Sequence, residues 1–211
     1  MEKQESNKAF LRTYPFAYGG GMMLISATVA TYFSIFMTDT FGIPAAAASI
    51  IMFVATLWDA INDPMMGMIA DRTHNRFGRY RSYYLWVPAV LTFAAFMVFL
   101  APKGLSTPQK IAYIAFFYIL YGMSYTALTM PTVAAVPANT KNDKERNTVI
   151  TLACAIMSLA FCFVSTFTTK LTALTNGSYS PWILLYGAIT IVTFLILFKT
   201  SKEKYLIPVE K

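Results

Sequence analysis

Two carboxylates within an apolar stretch are the residues of this sequence best suited to chemistry. Asp59 and Asp63 are four positions apart, so on an α-helix they point to the same side, one turn apart. An ionised carboxylate surrounded by hydrocarbon is costly unless it faces a water-filled cavity, a cation or a proton relay. Asn62 lies beside them in the chain. The sequence therefore predicts a site for a cation or a proton at Asp59, Asp63 and Asn62.

The composition indicates that the elements carrying these acids lie in a lipid bilayer. Of the 211 residues, 56% are hydrophobic and 13% are charged, and the mean hydropathy is +0.51. Apolar runs of about 20 residues, the length of a membrane-spanning helix, recur along the chain. We therefore expect an all-α integral membrane protein. The net charge of +7 would suggest a nucleic-acid partner in a soluble protein, but the positive-inside rule explains it here. No nucleic acid is expected.

The hydrophobic pattern predicts a polar segment at 1–14, a six-helix transmembrane domain at 15–198 and a polar tail at 199–211. The six spans are predicted at about 15–37, 45–70, 83–100, 109–136, 148–169 and 181–198. An outer turn is predicted over 38–44. We interpret the Gly19-Gly20-Gly21 run as a place where helices pack closely, with close approach of a ligand as the alternative.

The positive residues predict the orientation of the chain. Of the 17 lysines and arginines, all but Lys103, Lys110 and Lys170 fall on one side of this six-span arrangement. The positive-inside rule assigns that side to the cytoplasm. Both termini are therefore predicted to be cytoplasmic, in a multi-pass protein of the plasma or inner membrane.

Enzymatic chemistry is not expected. The sequence has no Walker glycine-lysine loop, no HExxH pair and no GxSxG elbow, so it lacks the usual signatures of ATP hydrolysis, metalloproteolysis and acyl transfer. One histidine, His74, and two separated cysteines do not make a zinc cluster. No cofactor is predicted, and no metal beyond a possible sodium ion.

A family resemblance enters at the acidic stretch. WDAINDP at 58–64, followed by Gly67 and by DRTHNRFGRYR at 71–81, resembles the glycoside–pentoside–hexuronide:cation symporters of the major facilitator superfamily. Residues 121–126, 131–137 and 143–146 extend the resemblance over essentially the whole chain. It implies the N-terminal half of a major facilitator fold, in which six helices form two inverted three-helix repeats.

The resemblance also implies a cation site and a solute pathway. In the family, two acids of the second helix and a threonine of the fourth hold the cation, and these match Asp59, Asp63 and Thr126. The coupling ion stays open: carboxylate and hydroxyl oxygens suit sodium, and a carboxylate that protonates would serve a proton. The family's sugar-binding positions fall on residues that depart from the pattern, namely Met23, Thr129, Val133 and Cys154. Methionine and valine cannot hydrogen-bond sugar hydroxyls, so galactoside specificity is not expected.

The basic loop after the second span resembles the inner-loop signature of the superfamily. The matching residues are Gly67, Asp71, Arg72, Gly78, Arg79 and Arg81. The resemblance implies a cytoplasmic gate that clamps the two halves of a transporter. The alternative is that these arginines only fix the topology.

Two functions remain open at this stage. Superfamily transporters bind their solute between two six-helix halves, and this chain supplies one half. The chain is one half of a cation-coupled symporter that carries a small solute such as a sugar or glycoside. Alternatively, it is a non-transporting membrane protein that kept the fold, either a truncated product or a partner in assembly or sensing. A symporter would need a second half from the same gene, from a partner chain or from a second copy. The retained membrane acids favour transport, because such charges are costly.

Overall fold

The structure is a computed structural model that describes residues 7–73, 75–203 and 205. These residues form a bundle of six helices, and the described part of the chain contains no strand. The helices are α1 Lys8–Thr40, α2 Ala45–Arg72, α3 Tyr83–Val98, α4 Thr107–Asn139, α5 Asp143–Ala173 and α6 Ser180–Thr200. The predicted all-α fold is confirmed. His74 lies outside the described residues.

α1, α4, α5 and α6 begin earlier and end later than the hydrophobic pattern predicted, α2 ends two residues later, and α3 ends two residues earlier. α1 starts at Lys8 because Asn7 caps it: the Asn7 Oδ1 accepts a hydrogen bond from the backbone N–H of Phe10 at 3.3 Å. α4 starts with a capping box between Ser106 and Gln109. At its other end α1 continues to Thr40 through a π-helical turn, so the predicted outer turn is wrong for residues 38–40. The chain reverses after Thr40, with Gly42 at φ +71°.

Five of the helices are long and apolar enough to cross a membrane, all except α3. α3 has 16 residues and rises about 24 Å, less than the roughly 30 Å of a bilayer's hydrocarbon core. It is nevertheless apolar, and it packs against α4 and α6 inside the bundle. The chain is a multi-pass membrane protein.

The helix contacts follow the pattern of two interlocked three-helix repeats. α1 packs against α5 and α6, and α4 packs against α2 and α3. The first helix of each repeat thus lies against the second and third helices of the other, while α3 and α6 pack against each other. Contacts between the repeats are more extensive than those within either repeat. The predicted half of a major facilitator fold is confirmed.

The glycine run of α1 brings this helix close to both of its neighbours. A Cβ on Gly19 would collide with the carbonyl oxygen of Ala153 in α5, and one on Gly21 would collide with Thr193 in α6. The Thr190 hydroxyl donates to the Gly21 carbonyl at 2.7 Å. These contacts support the interpretation of the glycines as helix-packing residues.

A buried hydrogen-bond cluster joins the ends of α1, α4 and α6. The Asn7 Nδ2 donates to the Asn139 Oδ1 at 2.9 Å and to the Thr200 carbonyl at 2.7 Å. The Asn139 Nδ2 donates to the Ser201 hydroxyl at 3.2 Å, and the backbone N–H of Lys202 donates to the Asn139 Oδ1 at 3.0 Å. We call Asn7, Asn139, Thr200 and Ser201 the terminal polar cluster. It lies at the end of the bundle where α1 begins and α6 ends.

Candidate functional site

A cavity of about 380 Å³ lies between α2 and α4, with α1 forming one side. Its walls combine carboxylates, hydroxyls and aromatic rings. Asp59 and Asp63 line it from α2, Ser26 from α1, and Thr126 and Thr129 from α4. Such a mixture of apolar walls with a few converging polar groups is typical of small-molecule sites.

Asp63 is joined to α4 by a direct hydrogen bond. The Thr126 hydroxyl donates to the Asp63 Oδ1 at 2.8 Å, and Thr126 is buried. A hydroxyl bonded to a carboxylate makes a stronger hydrogen bond than one between neutral groups. The structure thus brings together three residues that the sequence placed in one cation site: Asp59, Asp63 and Thr126.

Asp59 faces the cavity one turn away from Asp63, beside a glycine of α4. A Cβ on Gly122 would lie 3.1 Å from the Asp59 Oδ1, so the missing side chain of Gly122 makes room for the carboxylate. Within the described part of the chain, the Asp59 carboxylate accepts no hydrogen bond. An acceptor with open lone pairs at the wall of a cavity is suited to a cation or a proton.

Asn62 lies on the same helix but is buried rather than lining the cavity. Its side chain is 3% exposed, and its Nδ2 has no hydrogen-bond partner among the described residues. Buried polar groups are nearly always paired. The stretch of α2 around the two acids therefore holds more polar groups than the fold itself satisfies.

Aromatic rings form the wall beside the carboxylates. Trp58, Tyr118, Tyr121 and Tyr125 all line the cavity, and the Tyr121 ring centroid lies 6.2 Å from those of Tyr118 and Tyr125. Trp58, Tyr118 and Ser26 were not among the site residues predicted from the sequence. The spacing of cavity-lining positions 118, 122, 125 and 129 repeats every three or four residues, and this helical periodicity was the signal that could have found Tyr118.

Of the four predicted substrate-pathway residues, only Thr129 lines the cavity. Its hydroxyl donates to the Tyr125 carbonyl at 2.8 Å. Met23 packs against the core, and its sulfur accepts a hydrogen bond from the cavity residue Ser26 at 3.3 Å. Val133 and Cys154 are exposed elsewhere on the bundle.

The predicted gating residues lie at the end of α2 and in the loop between α2 and α3. The Tyr80 hydroxyl donates to the Asp71 Oδ1 at 2.9 Å. Burial raises the pKa of Tyr80, and this hydrogen bond raises it further. Arg81 donates twice to the Phe198 carbonyl of α6, from Nε at 3.1 Å and from Nη2 at 2.9 Å. Arg81 therefore binds its own half of the fold.

The other members of this set have different surroundings. Gly78 adopts φ +110°, a conformation that favours glycine, and the neighbouring Arg79 is buried. Arg72 is exposed at the end of α2, and nothing approaches the site of a Cβ on Gly67 within 4 Å. Among the described residues, no group of three or more histidine, cysteine, aspartate or glutamate side chains is placed to hold a metal ion.

Comparison with known proteins agrees with this architecture. The family model described as "MFS/sugar transport protein" matches residues 16–210. The chain belongs to this family of major facilitator transporters, and the recognised resemblance is confirmed.

The similar proteins are symporters and sugar transporters. The chain is 34% identical over 185 residues to an isoprimeverose transporter of Lactiplantibacillus pentosus. The aligned residues cover 83% of this chain and 38% of the relative. It is 34% identical over 188 residues to the uncharacterized symporter YnaJ of Bacillus subtilis (86% and 40%). It is 29% identical over 186 residues to the inner membrane symporter YicJ of Escherichia coli (86% and 40%). The chain thus spans about 40% of the length of these relatives.

Proposed function

We propose that this chain is one half of a secondary active transporter that couples the entry of a cation to the movement of a small solute, a sugar or glycoside. One observation carries the proposal: the Thr126 hydroxyl bonds Asp63 at 2.8 Å in the same cavity that Asp59 lines. The cavity therefore has two carboxyl groups and a hydroxyl beside its solute-sized space.

In this proposal Asp59 and Asp63 hold the cation, Thr126 completes its oxygen shell, and Asn62 supports the site from behind. Sodium would bind to carboxylate and hydroxyl oxygens, as hard cations do. A proton would bind to one of the carboxylates instead. Either cation offsets the free-energy cost of holding two carboxylates inside the membrane. Cation binding is therefore favoured before the solute-loaded protein changes conformation.

The aromatic wall supports a sugar or glycoside as the solute. Tyr118, Tyr125 and Trp58 offer flat apolar faces, against which the C–H faces of a sugar ring can pack. Ser26 and Thr129 add hydroxyls at the same cavity. The relative described as an isoprimeverose transporter supports the same class of solute.

The proposed setting is the plasma or inner membrane, with both termini in the cytoplasm and a second six-helix half facing this one. The positive-inside rule supports the orientation. The second half would come from the same gene, a partner chain or a second copy. It would close the cavity and cover exposed apolar side chains of α2 such as Leu57, Ile61 and Met68.

The test is uptake by the full-length gene product in proteoliposomes. A panel of pentosides, hexosides and hexuronides is offered under an inward sodium gradient, an inward proton gradient or neither. We expect accumulation under one gradient, which also identifies the coupling ion. Asp63→Asn should abolish gradient-driven accumulation. Asp39→Asn, which neutralises an exposed acid at the far end of α1, is the matched control and should leave accumulation unchanged.

The outcomes separate the two functions left open by the sequence. Accumulation that Asp63→Asn leaves intact would remove Asp63 from the mechanism. Accumulation under neither gradient, with the protein folded and correctly inserted, would favour the non-transporting alternative.

A further inference from the structure

A single carboxylate holds the loop between α2 and α3 against the end of α6. The two oxygens of Glu203 accept hydrogen bonds from three consecutive backbone N–H groups: Arg79 at 2.7 Å, Tyr80 at 2.8 Å and Arg81 at 2.6 Å. Successive backbone N–H groups that converge in this way form an anion-binding nest. Here the anion is a side chain of the same protein, which follows α6 by three residues.

The backbone on both sides is shaped for this contact. At Gly78, next to the nest, φ is +110°, and a Cβ would lie 2.8 Å from the Glu203 Oε2, so any other residue at this position would be strained. Glu203 itself adopts φ +42°, a conformation that residues other than glycine rarely adopt. Glu203 is 9% exposed. A strained backbone that aims a buried carboxylate at three donors indicates a specific attachment.

The same loop is attached to α6 at a second point and to α2 at a third. The Arg81 guanidinium bonds the Phe198 carbonyl and lies 4.7 Å over the Phe198 ring. At the other side, the Tyr80 hydroxyl bonds Asp71 in the last turn of α2. The loop is therefore a mechanical link between α6 and α2, the helix that carries Asp59 and Asp63.

We propose that Glu203 is a positioning residue that latches this loop to α6, so that α2 and α6 move together when the half rearranges. The latch itself does not depend on the proposed function. Its effect on transport rests on that function, and the two parts are tested by different measurements.

The first measurement is backbone amide hydrogen exchange of the full-length protein in nanodiscs, followed at residues 79–81. Glu203→Ala removes both acceptor oxygens, and we expect exchange of these amides to accelerate about tenfold or more. Glu203→Gln keeps the Oε1 position as an acceptor for Tyr80 and Arg81, so its effect should be intermediate. Lys202→Ala, at an exposed neighbour in the same tail, is the matched control and should match the wild type.

The exchange rate of the amides of residues 79–81 should rise in the order wild type, Glu203→Gln, Glu203→Ala. The exchange rates of the α5 amides should stay unchanged in all variants. If Glu203→Ala fails to fold, Glu203→Gln decides the question alone. Loop amides that exchange at the wild-type rate in a folded Glu203 variant would overturn the latch.

The second measurement is gradient-driven uptake in proteoliposomes. We expect Glu203→Ala to lower the maximum rate several-fold while the cation concentration at half-maximal uptake stays within twofold, because the cation site is untouched. A rate equal to the wild type would overturn the coupling of α6 to α2. If the wild type itself shows no uptake but the exchange order holds, the proposed function fails and the latch stands.

Discussion

The two polar regions of this bundle satisfy their hydrogen-bonding groups to different degrees. At the terminal polar cluster, Asn139 is fully buried and bonds Asn7, Ser201 and the backbone of Lys202. At the cavity, Asp63 has the Thr126 hydroxyl, while the Asp59 carboxylate has no partner among the described residues. The Nδ2 of Asn62, buried on the same helix, has none there either. The side chains of the first region bond one another, whereas the second region keeps polar groups that could still bind a ligand.

This difference separates structure from function. Buried polar groups stabilise a fold only when they are paired, so a completed cluster gains nothing from a ligand. A membrane region that keeps two carboxylates with few partners costs free energy, and a bound cation or proton would offset that cost. A substitution in one region should therefore change either stability or cation binding, but not both.

The largest effect is expected for Asp59→Asn. Removing one of two carboxylates should weaken cation binding about a hundredfold, equivalent to about 2.8 kcal/mol, measured by isothermal titration calorimetry of the full-length protein with the coupling ion. Stability without the cation should not fall, since a costly charge is removed. Binding within threefold of the wild type would mean that Asp59 is not a cation ligand.

Asn139→Ala should show the reverse pattern. The substitution removes the Asn139 Oδ1, which accepts hydrogen bonds from both the Asn7 Nδ2 and the Lys202 N–H. We therefore expect the free energy of unfolding to fall by about 2 kcal/mol. Denaturant unfolding in detergent micelles measures this loss, and cation affinity should not change. Asn147→Ala, at an exposed asparagine, is the control. If Asn139→Ala weakened cation binding and spared stability, the division between the two regions would be wrong.

Thr126→Val sharpens the description of the cation site. The substitution keeps the size of the side chain and removes the hydroxyl that bonds Asp63, so cation affinity should fall about tenfold, or about 1.4 kcal/mol. Thr126→Ser keeps the hydroxyl and should stay within threefold of the wild type in the same titration. Equal effects of serine and valine would point to packing rather than to an oxygen ligand.

The smallest effect is expected at the opposite end of the bundle. The Lys110 Nζ donates to the Phe41 carbonyl at 2.7 Å and lies 5.2 Å from the centroid of the Phe41 ring, so it caps the end of α1. Lys110→Met should lower stability by about 0.3–1 kcal/mol, measured by thermal unfolding, without affecting cation binding. Lys103→Met, at an exposed lysine, should have no effect. A larger loss would show that this contact does more than cap the helix.

The sequence predicted most of the fold because its signals are local. Runs of apolar residues and the placement of lysines and arginines are properties of short segments, and they predicted the six helices with errors only at their ends. The early starts of α1 and α4 share a cause, since the caps Asn7 and Ser106 begin these helices in polar segments where hydropathy predicts none. The π-helical turn at Phe36–Thr40 carries α1 into polar residues 38–40, which the hydrophobic pattern assigned to a turn.

The candidate site was predictable only in part. The spacing of Asp59 and Asp63 placed both acids on one side of α2, and the structure brings them to one cavity with Thr126. The structure does not bring Met23, Val133 or Cys154, the other predicted pathway positions, to that cavity. Whether a helical residue reaches a cavity depends on the rotation and tilt of its helix, which the neighbouring helices set.

By itself, the sequence determined that this is an all-α membrane protein of the major facilitator family with two acids in its second helix. It could do so because hydropathy, charge and the motif are properties of contiguous residues. Only the tertiary structure decided that Trp58 and Tyr118 share a cavity with those acids. It also decided that Glu203 holds the backbone of residues 79–81. These contacts join residues far apart in the chain, and they exist because the two three-helix repeats interlock.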